Sequence, residues 1–153
     1  MEAVAYEELL RKDGRVMTHV VGSSMKPLLH DRQSIVIVED IRGVPPRKGD
    51  VVLYKTNGTY ILHRIQRIEE KEYLIRGDNT WTDEHVPKGA LLATMTGFYR
   101  TPDGKLITRD NPAYRLYRAA LPAIRTARRA GGKARRILRR FMRRPGSSAR
   151  AGE

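Results

Sequence analysis

Short hydrophobic runs separated by turn residues fill the first 110 positions of the chain. Runs of β-branched or alternating apolar residues predict strands over residues 16–21, 34–38, 51–55, 59–68, 71–76, 91–99 and 105–108. The Asn57-Gly58 pair between two of these runs predicts a tight hairpin. A short helix over residues 2–12, ended by Gly14, is predicted before the first strand. This pattern predicts a mostly-β fold.

After residue 110 the apolar positions change to helical spacing. Asn111 followed by Pro112 is typical of a helix N-terminus. We expect Pro122 and the Gly131-Gly132 pair to interrupt this helix. The apolar residues that recur among its arginines are Tyr114, Tyr117, Leu121, Ile124, Ile137, Leu138, Phe141 and Met142. We therefore predict a β domain over residues 1–109, a basic amphipathic helical extension over 110–144 and a disordered tail over 145–153.

The charges divide the chain at the same place. Residues 1–110 hold 17 Lys and Arg against 16 Asp and Glu, whereas residues 111–153 hold 13 Lys and Arg against Glu153 alone. The formal net charge of +13 therefore belongs almost entirely to the extension.

The composition also excludes several kinds of site. The chain has no cysteine, which excludes a thiol nucleophile, a disulfide and a thiolate zinc site. Residues 1–16 lack the pattern of a secretory signal, and no apolar run approaches the ~20 residues that span a bilayer. We therefore expect a cytoplasmic protein, held peripherally at the inner membrane face if the extension binds lipid. Because His19, His30 and His85 lack metal-ligand spacing, we expect no metal and no cofactor.

One serine and one histidine stand out as candidate chemistry. Ser24 lies in a Gly-Ser-Ser-Met-Lys-Pro turn between two predicted strands. A serine hydroxyl becomes nucleophilic when a base lies within about 2.6–3.2 Å. His63 is the best candidate base, since an imidazole pKa near ~6.5 suits proton transfer at neutral pH. Lys48 and Lys55 are weaker alternatives because their positions fit poorly.

Two further features of the sequence would complete such a site. The turn amides near Ser23 and Ser24 are candidates for an oxyanion hole. A catalytic histidine also needs a third group that fixes its tautomer. Asp78 and Asp83 both follow in a turn-rich segment that could return to His63, and the residues alone leave both open.

Four motifs together resemble a known clan of peptidases. Ser-Met-x-Pro at 24–27, Lys-Gly-Asp-Val-Val at 48–52, His-Arg-Ile at 63–65 and Gly-Asp-Asn at 77–79 resemble, in order, the boxes of signal peptidase I and LexA-type peptidases. Most bacterial members have lysine where this chain has His63. The histidine form is similar to archaeal and endoplasmic-reticulum signal peptidases. The resemblance covers about residues 16–100.

This resemblance implies a LexA-like β fold and a serine endopeptidase that cleaves a peptide or precursor protein. Ser24 would be the nucleophile and His63 the general base. Asp83 or Asp78 would orient the imidazole, with Asp83 favoured by its place just beyond the Gly-Asp-Asn box. Substrate would bind as an added strand. Support for substrate and oxyanion would come from Ser23, Met25 and Asn79.

The chain also departs from its apparent relatives. No apolar helix precedes Ser24, and residues 1–16 are too short for the DNA-binding domain of a LexA-type repressor. Two alternatives are therefore a catalytically inactive binding module on the peptidase fold and a regulatory LexA-like protease without a DNA-binding domain. Residues 111–144 are predicted to contact an anionic membrane. Nucleic-acid binding is less favoured because basic and aromatic residues do not alternate, and packing on the body or a partner is a third alternative.

Overall fold

The structure, a computed structural model, describes residues 5–142. They fall into two units, Met1–Ala119 and Ala120–Glu153, which are considered separately. The elements are α1 (Tyr6–Asp13), β1 (Arg15–His19), β2 (Ile35–Asp40), β3 (Val51–Thr56), β4 (Thr59–Ile68), β5 (Glu72–Arg76), β6 (Glu84–Pro87), a 3-10 turn (Lys88–Ala90), β7 (Leu91–Tyr99), β8 (Ile107–Thr108) and α2 (Pro112–Met142).

The first unit is built on one antiparallel sheet. Its strand order is β1-β2-β7-β3-β4-β5-β6, and β8 pairs with β7. This confirms the predicted mostly-β fold. β6 was not predicted as a strand, because it follows a turn-rich segment and ends at Pro87. Its pairing with β5 nevertheless brings residues 84–87 into the sheet.

Three local signals fix the ends of these elements. Asn57 and Gly58 both have positive φ angles, 48° and 76°, as a two-residue hairpin turn requires. Gly14 takes the left-handed conformation that ends α1. The side chain of Asn111 accepts hydrogen bonds from the backbone N–H groups of Ala113 and Tyr114, at 3.0 and 3.2 Å. The predicted hairpin and helix cap are therefore confirmed.

Alternation along the central strands supplies two hydrophobic cores. On β3, Val51 and Leu53 join one core, whereas Val52 and Tyr54 join the other. The first core contains Met25 and also Tyr114 from the first turn of α2. Consequently the first unit includes the start of α2 and continues past residue 109.

α2 is one continuous helix from Pro112 to Met142. The interruptions expected at Pro122 and Gly131-Gly132 do not occur. The surrounding residues are mostly Ala and Arg, which are strong helix formers and offset the local cost of Pro and Gly. Within residues 5–142, no helix combines the length and apolar character needed to cross a membrane. The tail predicted over 145–153 lies outside the described residues.

Candidate active site

The first unit contains a cleft of about 650 Å³. Ser24 and His63 both line it, although they lie on separate elements. One wall comes from residues 18–21 and 24–25, and the other comes from residues 58–63 of the hairpin and β4. The buried side chain of Met25 lies between this cleft and the first core. The cleft therefore brings together the two residues that the sequence singled out.

β4 holds His63 in a buried position, with 6% of its surface exposed. His63 pairs across the sheet with Val52. Burial lowers the pKa of His63 below its ordinary value, while the nearby carboxylates of Glu84 and Asp78 oppose that shift. The imidazole is therefore neutral at pH 7, which is the state that a general base requires.

Two groups face the Nδ1 atom of His63. The hydroxyl of Tyr54 lies 3.3 Å from this atom, and the carboxylate of Glu84 lies 3.4 Å away. Burial, together with Glu84, raises the pKa of Tyr54, so Tyr54 stays protonated and donates its hydroxyl hydrogen to Glu84. The groups facing Nδ1 are therefore acceptors, which places the imidazole hydrogen on Nδ1 and leaves the Nε2 lone pair open.

The Gly-Asp-Asn turn clamps the backbone of the serine turn. The backbone N–H of Asn79 donates to the carbonyl oxygen of Ser24 at 2.7 Å. The side-chain amide of Asn79 donates to the carbonyl oxygen of Ser23 at 3.2 Å. Asn79 thus braces the segment that carries the candidate nucleophile.

Gly77 lies between the serine turn and the imidazole. A Cβ atom added here would lie 2.7 Å from the carbonyl oxygen of Ser24 and 3.1 Å from Nε2 of His63. The open nitrogen of His63 and the backbone of Ser24 therefore flank the same small space. Only glycine leaves that space free.

The two acids predicted from the sequence each pair with an arginine. Asp78 is buried and accepts two hydrogen bonds from Arg64, at 2.8 and 2.7 Å. Asp83 accepts a hydrogen bond from Arg76 at 2.6 Å. Asp78 also accepts a hydrogen bond from Tyr117 on α2 at 2.9 Å. This buried pairing anchors the turn that holds Ser24 through Asn79.

Two backbone N–H groups of the serine turn are candidate hydrogen-bond donors for a bound substrate. Among the described residues, the backbone N–H groups of Ser24 and Met25 have no protein acceptor. The amide of Lys26, by contrast, donates to the carbonyl oxygen of Ser23 at 3.2 Å. Unused amides beside a nucleophile are what an oxyanion hole requires.

A family model described as Peptidase S24-like matches residues 2–97. The chain belongs to the Peptidase S24-like family. The match covers the candidate site and most of the first unit, and it confirms the resemblance that the four motifs predicted. No curated protein matches the chain. Membership places the chain with serine peptidases and LexA-like proteases at the level of the family.

Two residues that contact His63 in the candidate site were not selected from the sequence. Tyr54 lay within a predicted strand and Glu84 within a segment interpreted as turns. The position of Glu84 follows from the register of the strands. Ile65 on β4 pairs with Ile75 on β5, and Ile75 pairs with Glu84 on β6. Paired residues project from the same face of a sheet, and so do alternate residues of one strand. Glu84 therefore shares the face of His63.

Neither alternative lysine approaches the pair. The Nζ atom of Lys55 donates to Glu7 at 2.8 Å. Lys48 lines a separate cavity next to Arg64 and Arg118. Ser24 and His63 line the cleft, and neither lysine does.

Proposed function

We propose that this protein is a serine endopeptidase that cleaves a peptide or precursor protein through Ser24 and His63. The observation that supports this proposal is the shared cleft, in which the serine turn borders the open Nε2 of a buried, neutral imidazole. We assign the orienting carboxylate to Glu84, which faces Nδ1 of His63.

In the proposed reaction, Nε2 of His63 takes the hydroxyl proton of Ser24 as the serine oxygen attacks the substrate carbonyl carbon. The amides of Ser24 and Met25 stabilise the oxyanion that forms. Glu84 stabilises the imidazolium. The imidazolium then protonates the leaving amine as the peptide C–N bond breaks, which leaves an acyl-serine. A water molecule, deprotonated by His63, hydrolyses this ester and restores Ser24.

The cleft walls support binding of an extended peptide. β1 lies at one end of the strand order, and residues 59–63 of β4 are paired on one side only, with β3. Both walls therefore present backbone groups that an extended segment can pair with. We propose that the substrate enters as an added strand, its scissile bond at Ser24.

Incubation with a library of unstructured peptides tests this function. We expect new peptide ends, identified by mass spectrometry, that share a sequence preference next to the cut. The Ser24→Ala protein serves as the matched control and should produce none. A folded wild-type protein that cleaves nothing, yet retains peptides that the Ser24→Ala protein also retains, would favour the inactive binding module.

Glu84→Gln is expected to change the pH profile of the reaction with a serine-directed probe. Loss of the carboxylate removes an interaction that raises the pKa of His63, so the acid limb moves to lower pH. The plateau rate falls about 100-fold because the imidazolium loses its partner.

Asp83→Asn is the matched control for Glu84→Gln, since Asp83 adjoins Glu84 but pairs with Arg76. We expect this variant to retain the wild-type plateau and acid limb. If Asp83→Asn shows the loss and Glu84→Gln does not, the orienting acid is Asp83, the alternative that the family resemblance favoured over Asp78.

A further inference from the structure

Beyond the cleft, the strongest unexplained feature is the charge of α2. Between Pro112 and Met142 the helix carries ten Lys and Arg residues and no Asp or Glu. The peptidase chemistry uses none of these cations. Arg118 pairs with Asp50 at 3.9 Å within the first unit. The exposed cations of the second unit are open to an anionic partner or to solvent.

In the second unit, the cationic and the apolar residues of α2 lie on opposite sides of the helix. At 100° per residue, the cations gather on one side of the helix. The exposed residues of this cationic side that the proposal uses are Arg129, Lys133, Arg135 and Arg136. The opposite side begins with Ala123, Ala127 and Ala130, all of which are exposed. By the same periodicity, positions 137, 138 and 141 of the sequence, which are Ile, Leu and Phe, fall on that apolar side.

We propose that this part of α2 binds the surface of a membrane of anionic phospholipids. The cationic side would contact the headgroups, and the apolar side would enter the boundary between headgroups and acyl chains. Each cation near such a surface strengthens binding by roughly fivefold. The phosphates of a nucleic acid would bind the cations equally well, but a nucleic acid would not contact the apolar side. Segregated faces therefore favour the bilayer.

Vesicle flotation of the full chain tests the proposal. We expect the protein to float with vesicles of phosphatidylcholine and phosphatidylglycerol at a 7:3 ratio, and to remain unbound with phosphatidylcholine alone. Two double variants then separate the contributions of charge and apolar surface. Ala127→Glu/Ala130→Glu changes the apolar side, whereas Arg129→Gln/Lys133→Gln changes the cationic side. Each lowers the net charge by two, and Ala, Glu, Gln, Lys and Arg are all strong helix formers.

We expect the glutamine pair to weaken vesicle binding roughly 30-fold, as the loss of two surface cations predicts. The glutamate pair should weaken it by at least about 100-fold, because it also places carboxylates in the apolar boundary. Circular dichroism should show unchanged helix content in both. Equal losses in the two variants would overturn the proposal, as would tighter binding of an RNA or DNA duplex than of the anionic vesicles.

Discussion

Ser24→Ala is expected to abolish covalent labelling by a fluorophosphonate probe, with a rate loss of at least about 10⁴-fold. The probe phosphonylates an activated serine with loss of fluoride, so the experiment needs no knowledge of the natural substrate. In our account Ser24 is activated because it borders the open Nε2 of His63 in the shared cleft. Removal of its hydroxyl removes the atom that attacks. In-gel fluorescence over time measures the rate.

Ser23→Ala provides the matched control. Ser23 is the neighbouring hydroxyl, is exposed, and contributes its carbonyl oxygen to the contact with Asn79. Because that contact uses backbone, the alanine variant keeps it, and we expect labelling close to the wild-type rate. Equal labelling of the wild type and Ser24→Ala would remove Ser24 from the mechanism.

His63→Gln is expected to slow labelling of Ser24 by about 10²–10⁴-fold, the usual contribution of a positioned general base. Glutamine fills much of the buried space but accepts no proton near neutral pH. His19 also lines the cleft but is exposed. His19→Gln therefore serves as the control, and it should label at nearly the wild-type rate.

The pH dependence distinguishes loss of the base from general damage. Burial lowers the pKa of His63, so the wild-type rate should rise with pH through a midpoint below the ordinary imidazole value and then stay level. His63→Gln should show a low, flat rate over that range. A rise that persists in His63→Gln would assign the base to another group.

Much of the fold could be predicted because its signals are local. Asn57-Gly58 specifies a hairpin through backbone preferences alone, and Asn111 specifies a helix start through its own side chain. The apolar run over residues 51–55 and the alternation over residues 59–68 likewise predicted strands. These signals depend on residues a few positions apart, so the sequence carries them in full.

The continuity of α2 and the strand β6 could not be predicted in the same way. Pro122 and the Gly131-Gly132 pair disfavour helix locally, but the propensity of the surrounding Ala and Arg outweighs them. β6 forms because it pairs with β5, which is a tertiary interaction. The residues of β6 themselves, which end at Pro87, have little preference for a strand.

In the candidate site, too, some residues could be predicted from local motifs and others could not. Ser24 and His63 could be selected from their motifs, because each motif is contiguous in sequence. The acid facing His63 depends on the register in which β5 pairs with β4 and β6 pairs with β5. A shift of one residue would exchange Glu84 for Asp83 on that face. No local pattern fixes such a register, so the sequence left the acids open.

The central claim is that one hydroxyl, Ser24, is activated by one imidazole, His63, in a single cleft. Tandem mass spectrometry of the probe-treated full chain tests it most directly by locating the adduct. We predict a single phosphonyl group on Ser24, formed rapidly at pH 7.5 and much more slowly at the same residue in His63→Gln. An adduct on another residue, or one on Ser24 that forms equally fast without His63, would contradict the account.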